Sequence, residues 1–143
     1  MSNNDESKSS PMLADMIAHD LVARVEGLKT ADLDALPFGV IRLDDSCRVT
    51  YFSKTEATQS GFGDRNAIGL HFFTELAPCM ASQDFQRQVH QALATRTLDI
   101  VFEQVGDFDD AERELRVRAT SASTGGLWIF IERPRGSNGD LTT

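Results

Sequence analysis

The sequence predicts an α+β fold: a five-stranded antiparallel sheet with short helices on one face and an N-terminal helical cap. Three observations carry this expectation. Alternating apolar segments bounded by turn residues occur as a pair early in the chain and as a group of three near its end. Between them lie short stretches of helical spacing and no long apolar helix. Hairpins at both ends of one helical insert close as a single antiparallel layer, which the insert then covers.

The elements follow in order. Residues 1–11 are rich in Ser, Asn, Asp, Glu and Lys and read as a disordered tail. Leu13, Met16, Ile17, Leu21, Val25 and Leu28 recur at helical spacing, which predicts one amphipathic helix ending near Gly27 and a cap over residues 12–34. Its apolar stripe either docks on the domain or pairs with its copy in a homodimer. The main domain spans 35–134. Phe38–Leu43 and Arg48–Phe52 form a hairpin around Asp44-Asp45-Ser46. The stretch 53–66 holds short helical turns. Ile68–Leu76 reads as a short helix that Pro78 helps to end.

Ser82 is an N-cap for a helix with Phe85, Val89, Ala92 and Leu93 on one face. Thr97–Val105, Arg113–Thr120 and Leu127–Ile131 are the last strands, separated by an acidic turn after Gly106 and by Gly125-Gly126. A loose tail, 135–143, follows.

Composition narrows the function. The chain has 143 residues, 41% of them hydrophobic, enough for one domain with a real core. A formal charge of −8 and a pI near 4.7 repel phosphate backbones and anionic lipid, so neither nucleic acid nor membrane is an expected partner. No apolar run nears the roughly 20 residues that cross a bilayer. The N-terminus lacks a basic segment followed by an apolar one, against a secretory signal. Cys47 and Cys79 make no disulfide framework and read as reduced thiols of a cytoplasmic protein.

The space between sheet and helices is the natural ligand pocket. Cys79 ends an apolar, aromatic segment after Ala77-Pro78, and Glu56 and Phe52 lie where both reach one pocket with it. A buried carboxyl group resists ionisation, so Glu56 has the makings of a proton donor. His71 and His90 are the histidines that a haem site would use, and no metal site is expected. A Cys79–His71 hydrolytic pair lacks an oxyanion-hole motif, so the chain reads as a sensor or binding module and not an enzyme.

Leu36-Pro37-Phe38-Gly39-Val40-Ile41-Arg42-Leu43-Asp44, Ile68-Gly69 with Phe72-Phe73-Thr74-Glu75-Leu76-Ala77-Pro78-Cys79, and Leu127-Trp128-Ile129-Phe130-Ile131-Glu132-Arg133 resemble the PAS domains of the photoactive yellow protein family. The resemblance covers residues 33–133 and runs without a gap from Leu33 to Phe108. It implies a blue-light photoreceptor with p-coumaric acid (4-hydroxycinnamic acid) thioester-linked to Cys79. It further implies Glu56 as proton donor to the chromophore phenolate, and signalling by proton transfer and cap release to a separate signalling protein.

Among the implied chromophore-binding residues, Ala77 and Pro78 precede the cysteine and Ser60 keeps the hydroxyl of the family's threonine. Phe52 stands at the tyrosine position, Phe62 at the arginine position and Gly106 where the family has an aromatic wall. Placing Tyr51 in the tyrosine role requires a one-residue slip, which would turn it to the opposite face of the strand. The losses at Phe52 and Phe62 imply a phenol that ionises less readily than in its relatives. With Gly106 they also favour an alternative, a chromophore-free PAS interaction or dimerisation module; a PAS sensor of haem or another small ligand is a third reading.

Overall fold

A computed structural model describes residues 15–106 and 112–133, the side chain of Cys79 excepted. The tails 1–11 and 135–143, residues 12–14 of the cap and the acidic turn after Gly106 lie outside the described residues. The strands are β1 Gly39–Leu43, β2 Val49–Phe52, β3 Asp99–Val105, β4 Glu114–Ser121 and β5 Leu127–Glu132. They form one sheet in the order β2-β1-β5-β4-β3, with each neighbouring pair antiparallel. Among the described residues four α-helices accompany it: α1 Leu21–Glu26, α2 Thr30–Asp34, α3 Lys54–Ser60 and α4 Gln83–Thr95. A π-type turn at Phe72–Leu76 and a 3-10 turn at Pro78–Met80 lie between α3 and α4.

Period-two alternation in the central strands splits the core between the two faces of the sheet. Ile41, Leu43, Ile129 and Ile131 pack with Phe72, Phe73, Phe85 and Val89 on the side of α3 and α4. Val40, Trp128 and Phe130 pack with Met16, Leu21, Val25, Leu33 and Phe38 on the other. Full burial of such side chains stabilises by about 1.5–3 kcal/mol each. The N-terminal segment therefore docks on its own domain, on the face that the other helices leave bare.

Two latches hold the cap. Arg118, almost fully buried, grips Asp99 through two bonds of 2.9 and 3.0 Å. It also donates to the carbonyls of Met16 and Ala18, at 3.2 and 2.6 Å. Glu26 at the end of α1 accepts from the Trp128 indole at 2.9 Å and the Ser123 amide at 3.0 Å.

The single N-terminal helix is a correction. Among the described residues helix begins at Leu21, and α2 is separate. Asp15 takes the Ile17 amide on its own side chain, and Arg118 takes carbonyls that a longer helix would use internally. Ile17 consequently stands half-exposed while Met16, Leu21 and Val25 are buried. The helix expected over Ile68–Leu76 is a second correction. Residues 69–72 run alongside the β1–β2 turn, with the Val49 amide on the Leu70 carbonyl and the Phe72 amide on that of Cys47. Only the end of the segment coils. Among the described residues no helix is long and apolar enough to cross a membrane.

Burial pushes the Glu26 carboxyl up, but its bonds from Ser123 and Trp128 outweigh that and leave it below the ordinary value. A group lowered on folding contributes stability above its unfolded pKa and loses it as pH falls through the folded one. Below about pH 4.5, the ordinary glutamate value, the α1 latch should therefore weaken first. Amide exchange across α1 is expected to accelerate on acidification more than that of β1, and Glu26→Ala should reproduce the effect at neutral pH. Equal acceleration in α1 and β1 would refute the latch.

Candidate functional site

Ser53 fixes the geometry of the site. Its hydroxyl accepts from the Glu56 amide and the Val40 amide, both at 3.1 Å, and its own amide donates to the Val40 carbonyl at 2.9 Å. The first turn of α3 is thereby pinned to β1. Gly61, with φ 86°, ends the helix in the left-handed region. Glu56 and Ser60, one turn apart, both end up buried.

The Glu56 carboxylate lies directly over the β1 backbone at Gly39. A Cβ at that position would overlap it. Gly39 pairs with Ile131 of β5, so the chain leaving β5 brings Arg133 past the same point. Arg133 meets Glu56 in a two-pronged contact of 2.9 and 3.0 Å. The two side chains are 7% and 5% exposed, which makes this a buried ion pair. Parallel N–H···O bonds of this kind are the strong, charge-assisted form.

Glu56 also borders a cavity of about 320 Å³ between sheet and helices. Its floor is Ile41 and Ile131, and one wall is Phe52, Glu56, Ser60 and Phe62. The other wall is Phe72, Glu75, Leu76, Ala77, Pro78 and Met80 of the two turns, and Gly106 adds backbone at one edge. The Phe52 and Phe62 rings pack at 5.3 Å. The Arg65 guanidinium sits 4.7 Å from the Phe62 ring centre and its Nε donates to the Phe62 carbonyl at 3.0 Å. Ser60 Oγ accepts from the Phe62 amide.

Phe52, Glu56, Ser60, Phe62, Ala77 and Pro78 are thus brought together around one hollow. The Cys79 side chain lies outside what is described. Its backbone is the middle of the 3-10 turn, between two residues that line the hollow. Tyr51 points the other way. Its hydroxyl donates to Asp34 at 2.6 Å, and burial, reinforced by that bond, drives its pKa strongly up. Cys47 is buried in the β1–β2 turn, where desolvation and then Asp44 raise its thiol pKa. His71 caps the π-type turn, its Nδ1 accepting from the Thr74 amide, and His90 is exposed on α4.

Sequence reasoning missed Arg133 and the role of Gly39. Ser53-Lys54-Thr55-Glu56 has the spelling of a helix capping box, in which the glutamate folds back on the cap residue. Here Ser53 caps, but its amide already serves Val40, and Glu56 turns away to Arg133. Two separate signals, a glycine facing a buried acid and an arginine just past the last strand, meet only through the register of β1 with β5.

Residues 33–133 match the family model of the PAS fold. The photoactive yellow protein of Halochromatium salexigens is 31% identical over 115 residues, covering 80% of this chain and 92% of the relative. That of Rhodothalassium salexigens is 29% identical with the same coverage. Among solved structures, the photoactive yellow protein domain from the sensor histidine kinase Ppr of Rhodospirillum centenum superposes with a TM-score of 0.69 at 34% identity. That match covers 78% of this chain and 98% of the domain.

Gly39→Ala should force the Glu56 carboxylate off the strand. Overpacking of this kind costs about 1–3 kcal/mol. Urea unfolding is expected to show that loss, whereas alanine at Gly27, where a Cβ meets nothing closer than 3.6 Å, should cost far less. Equal midpoints for the two variants would contradict the close approach.

Proposed function

This chain belongs to the PAS family, on its photoactive yellow protein branch, and we propose that it is a light sensor carrying p-coumaric acid as a thioester on Cys79. The observation that supports this most is the buried Glu56 carboxyl group bordering an apolar hollow whose other wall flanks Cys79 in the chain. Small-molecule sites occupy about 300–1,000 Å³ and combine apolar walls with a few placed polar groups, and the residues here fit that description. Bound there, the group supplies a double bond that isomerises when it absorbs light.

The roles of the chain's own residues follow from their positions. The Cys79 sulfur displaces the leaving group of an activated acyl donor, and the thiol proton departs with that group. Phe52, Phe62, Phe72 and Met80 exclude water and flank an aromatic ring. Glu56 hydrogen-bonds the phenolic oxygen, and Ser60 stands one turn further along α3. Ala77 and Pro78 shape the attachment turn.

Output leaves through the cap. Strand β5 carries Ile129 and Ile131 toward the cavity and Trp128 and Phe130 toward the cap, so a change of charge at one face bears on packing at the other. The receiver is a separate signalling protein, or a second copy engaged through the N-terminal segment. Phe52, Phe62 and Gly106, which bring no hydroxyl, no cation and no side chain to the cavity, favour a second reading: a PAS module that takes no chromophore and binds a protein.

Mixing the apoprotein with activated p-coumarate separates the readings. A covalent mass gain with a blue or near-ultraviolet band, both lost in Cys79→Ala, is expected. An unmodified, colourless protein eluting as a dimer would establish the second reading instead. In the loaded protein, Phe52→Tyr adds a donor at the cavity wall. One bond to a charged group is worth about 1.5–3 kcal/mol, so the phenol pKa should fall by about 1–2 units. An unchanged pH titration would show that Phe52 does not face the phenol.

A further inference from the structure

We propose that Arg133 is a positioning residue that fixes Glu56 as a carboxylate, so that Glu56 accepts a hydrogen bond from a phenolic ligand and the ligand rests as the neutral phenol. The ligand half of this proposal rests on the p-coumarate reading above. The Arg133 half rests on the ion pair alone.

The geometry decides the direction of the proton. A guanidinium carries donors only and stays protonated, and a two-pronged contact at 2.9 and 3.0 Å engages both oxygens of Glu56. A neutral carboxylic acid could offer such a fork one acceptor and one hydroxyl, and the hydroxyl would face an N–H donor. The carboxylate is therefore the form this pair selects. Desolvation alone would favour the acid, but that holds for a lone carboxyl group and here an opposite charge sits within bonding distance. Removing one partner of a buried pair leaves an uncompensated charge, which is why the pair resists separation.

A carboxylate has acceptor sites and nothing to donate. A phenolate placed against it would face like charge in an apolar cavity. A phenol donates to it instead. Among the described residues, the other charged groups around the hollow do not reverse this. Glu75 on the opposite wall is a second acid, held by the His71 amide and near Arg48. Arg65 packs on the Phe62 ring and does not line the hollow, and Arg113 is bonded to the Gln59 carbonyl of α3. Gly39 completes the device, since only a residue without a Cβ lets Glu56 lie flat toward Arg133.

Infrared difference spectroscopy of the ligand-free protein tests the charge. Subtracting Glu56→Gln from the parent chain at neutral pH should reveal no protonated-carboxyl stretch. Arg133→Gln should gain that stretch, Arg133→Lys should not, and Glu56→Gln combined with Arg133→Gln should lose it again. A protonated-carboxyl band in the parent chain that depends on Glu56 would overturn the proposal without any ligand and without any Arg133 variant, so a variant that fails to fold leaves it decidable. After loading with activated p-coumarate, the parent should absorb in the near-ultraviolet at neutral pH, and Arg133→Gln should shift absorbance toward the visible. A visible band in the parent that Arg133→Gln leaves unmoved would also overturn it. If p-coumarate fails to attach while the infrared results stand, the photoreceptor reading falls and the charge of Glu56 does not.

Discussion

A carboxylate and a guanidinium, each more than nine-tenths buried, tie together the two elements on which the cavity depends. Glu56 comes from α3 and Arg133 from the end of β5, and neither charge is tolerable inside the protein alone. Their meeting requires the pairing of Gly39 with Ile131, the Ser53 cap on α3 and a bare Cα at Gly39. Each of those is local to the sheet register or to the entry of the helix. The site is therefore specified by sheet register and helix entry before any ligand contributes, and binding starts from a preorganised wall.

The same register links the cavity to the cap. Successive residues of β5 face opposite sides, so one strand touches both the hollow and the N-terminal segment. The two latches differ in kind. Arg118 binds backbone carbonyls, which any sequence would offer, and its own charge is matched by Asp99. Glu26 binds an indole on β5 itself. Displacement of β5 by a fraction of an ångström would strain the second latch more directly than the first. Under the proposed output, opening of the cap is thus expected to begin at α1 and to proceed toward residues 16–18.

The sheet was legible because its signals are local. Each strand shows alternation bounded by turn residues, and all five stand within two residues of where the pattern puts them. The cap was legible in its apolar residues but not in its shape, since Arg118 lies about a hundred positions away and takes carbonyls that periodicity assigns to a helix. The segment 68–71 failed likewise, through pairing with a turn twenty residues earlier. For the site, strand parity alone separated Phe52 from Tyr51, and the bond of Tyr51 to Asp34 shows why no slip occurs. Glu56 was legible as buried. Its partner was not, because an arginine just past the last strand carries no periodic signal.

The cavity's departures from its relatives' pattern form one consistent set. Against the tyrosine and arginine that the family resemblance implies at these positions, Phe52 and Phe62 bring neither a donor nor a cation to the place where an anionic ligand oxygen would need them. Alone, those changes make the hollow hostile to a phenolate. Arg133 does not restore the missing cation to the hollow, because Glu56 consumes its charge at short range. Arg65 does not restore it either, because it packs on the Phe62 ring and does not line the cavity. What remains is an electrically balanced pair beside an aromatic box. Such a site gains most from a neutral hydroxyl donor on a flat apolar body, and that is the form of the proposed ligand which the pairing of Glu56 with Arg133 favours.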